Sequence, residues 1–157
     1  MLGQTDILEY FKNEGYDVMH ITSKFGAVIN GKKVGREEFF QTLQSWGADD
    51  TRHFVIFHYS ILSEGINVPG LTHTILLRNL PIIEMAQTIG RVIRVHKDDR
   101  AAVAEGKIPA GAFHLYKKKE GVVTMPTGYK MGNAIAQRLQ NVVNAIFIEG
   151  RPPMAFC

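Results

Sequence analysis

The chain has 157 residues, 45% of them hydrophobic, with a formal net charge of +3 and a pI near 9.0. That length buries one respectable core and points to a single domain over 1–157, while the charge permits an anionic partner without specifying it. One cysteine, Cys157, excludes an internal disulfide and a CxxC zinc pair, which fits the cytoplasm; no apolar run reaches the roughly 18 residues that cross a bilayer, and Met1–Phe11 carries acidic residues where a signal peptide carries basic ones.

Gln4 to Asn13 places Ile7, Leu8 and Phe11 at helical spacing behind Thr5 or Asp6 as N-cap, with Gly15 to end the helix. Tyr16 to Thr22 is β-rich and reads as a strand. Gly26 to Gly35 holds two short apolar pieces around Asn30-Gly31, the pair that type I′ hairpin turns prefer because both central residues need positive φ. Phe39, Phe40, Leu43 and Trp46 mark one face of a helix from Arg36 to Trp46. His53 to Tyr59 and Thr72 to Leu77 follow as mostly apolar strands of the kind covered on both faces in a parallel sheet. Pro81 to Val95 is helical, with Pro81 suited to its first turn. The polar stretch Lys97 to Pro109 leads to Ala112–Lys117 and Val122–Met125, a hairpin turning at Lys119-Glu120-Gly121. A last helix, Met131 to about Ile148, carries Ile135, Leu139, Val142, Val143 and Ile146 on one face. Strands alternating with helices predict an α/β sandwich, and no repeat or linker marks a second domain.

The chemistry concentrates in Gln87-Thr-Ile-Gly90-Arg91-Val-Ile-Arg94. Gln87, Arg91 and Arg94 stand four, then three residues apart, which places them on one helix face with Ile89, Val92 and Ile93 turned largely to the core. Two guanidiniums on a rigid element can neutralise charge on a transferring phosphoryl group, and Gly90 admits the close approach of a backbone or a phosphate. The same spacing also suits an ordinary surface helix with solvated arginines.

With Ser63-Glu64-Gly65-Ile66-Asn67-Val68-Pro69 added, the chain resembles the second RecA-like lobe of superfamily 2 helicases: 63–69 is similar to their motif V and 87–94 to motif VI, QxxGRxxR, in the family's order. The resemblance implies a RecA-like three-layer α/β sandwich with a mainly parallel central sheet, lacking the lobe's first strand. It implies that Arg91 and Arg94 contact the γ-phosphate of ATP held with Mg²⁺ by an N-terminal RecA-like lobe, on this or another chain. Gln87 would link the helix to that lobe's catalytic carboxylates and water, with Glu64, Gly65 and Asn67 near the nucleotide. The family more often has Asp at the position of Asn67, although an amide still hydrogen-bonds a ribose hydroxyl. Ser60 and Ser63 fall where motif V touches the backbone of DNA or RNA. Thr22, Ser23 and Arg36 fall in a segment that lies on the nucleic-acid track, interrupted here by an insertion from Lys24 to Val34. A half-site of this kind is catalytically silent alone. The alternative is a non-catalytic nucleic-acid-binding or partner-regulating module of the same shape.

Three other features carry less. Gly26 to Lys33 matches G-x-x-x-x-G-K, but Lys33 stands where a P-loop needs Ser or Thr for Mg²⁺, and Ala-Val-Ile is strand-like where a cradle is wanted. Lys24, Lys32 and Lys33 read as solvated hairpin lysines, and Lys117 to Lys119 as solubilising residues at a hairpin tip. The six histidines show no paired metal spacing, so no metal ligand is expected.

Overall fold

The computed structural model describes residues 5–59, 68–125 and 132–146. The protein is mixed α/β, and its contacts divide it into two compact units, Met1–Gly70 and Leu71–Cys157.

The first unit is built on a mixed sheet of four strands, β1 (Asp17–Thr22), β2 (Gly26–Ile29), β3 (Lys32–Val34) and β4 (Phe54–His58), in the order β3-β2-β1-β4. β1 pairs parallel with β4, Met19 opposite Ile56, and antiparallel with β2, Met19 opposite Ile29. Val18 and Met19 are successive residues that point to opposite faces, yet both are buried. Both faces of β1 are therefore covered. Helix α1 (Thr5–Asn13) brings Phe11 edge-on to Phe57, with ring centroids 5.8 Å apart. Helix α2 (Arg36–Ala48) contributes the fully buried Phe39 and Leu43.

The β2–β3 turn is the expected one: Asn30 and Gly31 have φ of 50° and 87°. Asn30 does more than turn the chain. Its side-chain oxygen accepts from the Val18 amide at 2.8 Å and its amide nitrogen donates to Asp17 at 2.7 Å. Asp17 also pairs with Arg52, whose guanidinium stacks 4.7 Å from the Trp46 ring. One short polar side chain thus ties the hairpin to the central strand.

His20 lies on β1 with its Nδ1 buried and without a hydrogen-bond partner among the described residues. Burial pushes its pKa below the usual histidine value of about 6.5. The unfolded chain therefore binds a proton more readily than the folded one. Stability should be full above about pH 6.5 and fall as pH drops below it, by less than about 1.4 kcal/mol per pH unit. His20→Gln should flatten that part of a urea-midpoint profile; an unchanged slope would assign it to another group.

The second unit pairs β5 (His73–Ile75) with β6 (Val122–Thr124) in parallel, Thr74 opposite Val123. Helix α3 (Ile82–Val92) packs against both strands and α5 (Gly132–Ile146) against α3, with α4 (Lys97–Ala104) following α3 in the chain. Leu76, Leu80, Met85, Ile89 and Val142 form its buried core, with Ile93, Val123 and Leu139 against them. Three expectations change here. The predicted hairpin of 112–117 with 122–125 does not form: Phe113–Leu115 is a single 3₁₀ turn, and Val122–Thr124 finds its partner in β5. The polar stretch after Lys97 holds a helix, α4, capped by the His96 ring, whose Nδ1 accepts from the Asp98 amide at 3.3 Å. β5 is not covered on both faces within its unit, since His73 and Ile75 are exposed.

Among the described residues, no helix is long and apolar enough to cross a membrane.

Candidate functional site

Helix α3 owes its orientation to its amphipathic pattern. Met85, Ile89 and Val92 are buried, and Ile83, Gln87, Gly90, Arg91 and Arg94 fall on the other side. Pro81 is the N-cap, and the first helical bond runs from the Met85 amide to its carbonyl at 2.9 Å. The helix ends earlier than its sequence suggests, at Val92. Ile93 caps it in near-helical geometry, with φ −83° and ψ −2°, so Arg94 keeps roughly its helical direction from just beyond the last turn. Gln87 and Arg94 are exposed and Arg91 is half-buried.

Burial, and after it the positive charge of Arg94, lowers the Arg91 pKa below the usual guanidinium value. Two like charges so placed repel each other, and an anion bound between them would remove that repulsion. The arrangement is suited to binding a multiply charged oxyanion.

Both ends of α3 are held. Arg138 on α5 donates to the Leu80 carbonyl at 2.7 Å, and Arg78 pairs with Glu84 at 3.3 Å. At the far end the Lys118 ammonium donates to the carbonyls of Val92, Arg94 (2.9 Å) and Leu71 (2.7 Å). Lys118 is placed in turn by the buried Asp99 of α4, which accepts from the Lys117 amide at 2.7 Å and the Lys118 amide at 3.0 Å. A cation at a helix C-terminus satisfies carbonyls that have no intrahelical donor and complements the dipole. Lys118 is thus a clamp on the arginine-bearing segment. The expectation that Lys117 to Lys119 sit at a hairpin tip is corrected accordingly: no hairpin exists there, and the middle lysine binds backbone.

Gly121 belongs to the same clamp. A Cβ there would lie 2.5 Å from the Val92 carbonyl oxygen and 2.9 Å from its carbon. At Gly90, by contrast, an added Cβ would meet nothing within 4 Å. Among the described residues nothing therefore requires glycine at this helix-interior position, where alanine is better by about 0.5–1 kcal/mol. Gly90→Ala should raise stability by about that amount in urea unfolding. A loss of stability would reveal a packing constraint on that face.

Of the motif V residues, Ser60, Ser63, Glu64, Gly65 and Asn67 lie outside the described residues. Its end is described: Val68 is buried, and Pro69 and Gly70 pack on α2, where a Cβ on Gly47 would lie 2.5 Å from the Pro69 carbonyl oxygen. Gly70, at φ +69°, approaches the Gly47 carbonyl equally closely. Thr22 ends β1, and its hydroxyl oxygen accepts from the Phe25 amide at 3.0 Å, a turn-capping role. Ser23 is exposed. Arg36 opens α2 with its guanidinium 5.4 Å from the centre of the Phe40 ring. The G-x-x-x-x-G-K match is the β2–β3 hairpin.

Sequence reasoning placed Gln87, Arg91 and Arg94 together and missed Asp99, Lys118 and Gly121. Asp99 fell within the stretch read as a polar segment from Lys97 to Pro109, and Lys118 within the expected hairpin tip. Comparison with known proteins finds no family model, no curated protein and no solved structure that matches the chain.

Proposed function

We propose that the protein is the second RecA-like lobe of an ATP-dependent superfamily 2 nucleic-acid helicase or translocase, with Arg91 and Arg94 as its arginine fingers. The observation that carries this reading is one helix side, clamped at both ends, that presents Gln87, Arg91 and Arg94. The QxxGRxxR spacing and the SEGINVP segment supply the family. In this reading ATP and Mg²⁺ are gripped by an N-terminal lobe carrying a P-loop and an acidic metal motif. Closure brings the γ-phosphate against Arg91 and Arg94, where the two guanidiniums neutralise charge spreading over its oxygens. Gln87 then orients groups of the opposite lobe, and Gly90 leaves room for their approach. DNA or RNA is the polymer along which closure becomes movement.

The test is ATP hydrolysis with and without nucleic acid. The chain alone should be silent, and turnover should appear when a P-loop lobe is supplied. Robust hydrolysis by this chain alone would contradict the half-site.

A further inference from the structure

We propose that the β2–β3 hairpin and the turn before it form a landing surface for single-stranded nucleic acid, on which Phe25 stacks a base while Lys24, Lys32 and Lys33 hold phosphates. The inference takes the nature of the polymer from the function proposed above, but it does not depend on the ATPase half-site.

Charge is the first observation. Residues 18–36 contain Lys24, Lys32, Lys33 and Arg36 and no Asp or Glu; the whole chain carries +3, so all other residues together sum to −1. The hairpin and the turn before it are thus a run of positive charge, bounded by Asp17 before it and by Glu37 and Glu38 after it. Folding adds to it, because a Cβ on Gly31 at the β2–β3 turn would lie 3.5 Å from the Lys12 ammonium of α1. Cations thus stand at both ends of a ribbon roughly 15 Å long. Such a stripe attracts a polyanion and follows its backbone.

The second observation is aromatic. Phe25 is 56% exposed in the turn that opens β2, although it is one of the largest apolar side chains in the unit. It is held in place by the hydrogen bond its backbone N–H donates to the Thr22 hydroxyl oxygen, by Gly26 at φ +75°, and by the Lys24 ammonium 5.4 Å from its ring centre. The Lys33 stem lies 3.7 Å from where a Cβ of Gly26, the next residue, would stand. An exposed ring with a lysine over it and further lysines on the same hairpin is a combination that binds single strands without reading sequence: the ring meets any base face, and the cations meet the phosphates. A duplex keeps its base faces stacked internally and offers the ring nothing. Because neither stacking nor phosphate contact engages the 2′-hydroxyl, DNA and RNA strands should bind alike.

The test is fluorescence anisotropy of labelled oligothymidylate, oligouridylate and a duplex, titrated with the full chain at several salt concentrations. Both single strands should bind within a few-fold of each other and more tightly than the duplex. Phe25→Ala should weaken binding about ten-fold or more with the salt slope unchanged. Lys24→Gln and Lys33→Gln should each reduce the slope of log affinity against log salt by roughly 0.7. All three side chains are on the surface, so thermal midpoints should match the parent's and establish that the variants fold. Parent-like affinity for Phe25→Ala, or parent-like slopes for both lysine variants, would overturn the proposal, as would preference for the duplex. Loss of ATP hydrolysis with oligonucleotide binding intact would touch only the half-site reading.

Discussion

Arg91→Ala is expected to lower ATP hydrolysis by the chain combined with a P-loop lobe by about 10³-fold or more, with little change in stability. The magnitude follows from what an arginine finger does: it contacts charge that develops in the transition state, so its loss falls on turnover rather than on ground-state nucleotide binding. Arg91 is the better placed of the pair, half-buried within α3, where a guanidinium is less hydrated and acts through a lower dielectric. Arg94, exposed and beyond the last turn, should give a smaller loss. Arg91→Lys keeps the charge but not the planar fork, and should recover only part of the activity. Single-turnover measurements separate the outcomes. A variant that hydrolyses ATP at the parental rate would reduce α3 to a surface helix.

Gly121→Ala is expected to destabilise the second unit by about 2–3 kcal/mol. Its Cβ would meet the Val92 carbonyl group at distances that real contacts do not show, and the obstacle is backbone, not a flexible side-chain end. The same carbonyl accepts from Lys118, so relief of the clash must pull α3 away from its clamp. The substitution should therefore lower the unfolding midpoint and, in the combined enzyme, turnover as well. Gly90→Ala, one turn or less away from the same carbonyl, should act with the opposite sign on stability. Two identical replacements that shift urea midpoints in opposite directions would show that the interior side of α3 is fixed and its outer side open; a shift of equal sign would contradict that division.

What could be read from the sequence was what depends on near neighbours. The 3.6-residue pattern of α2 and α3 and the Asn30-Gly31 turn each depend on a few adjacent residues, and each is found at its expected place, although α3 stops at Val92. The failures have a common cause. Val122–Thr124 is as apolar and β-rich as any hairpin strand, and a Lys-Lys-Lys-Glu-Gly tract before it invites a turn, but period-two patterning states that a segment is a strand without stating its partner. Lys118 looked like a solubilising residue because the carbonyls it binds belong to Leu71, Val92 and Arg94, far away in the chain. Asp99 was hidden for the same reason: a buried carboxylate is recognisable only by the amides that satisfy it. The side that carries Gln87, Arg91 and Arg94 was legible because helical periodicity aligned it, whereas the groups that brace it arrive from distant chain positions.

The parallel pairing of β5 with β6 has a bearing on how the protein is made. All of residues 76–121, α3 and α4 included, must be synthesised before β5 can find its partner, so this unit cannot complete its sheet from local contacts. On the ribosome the first unit can consolidate early, because its four strands are complete by His58. The arginine-bearing helix waits, with Ile89 transiently uncovered, until β6 and then Val142 of α5 emerge. Chains that stall inside that interval would expose the sticky side of α3 and be the ones most prone to aggregate.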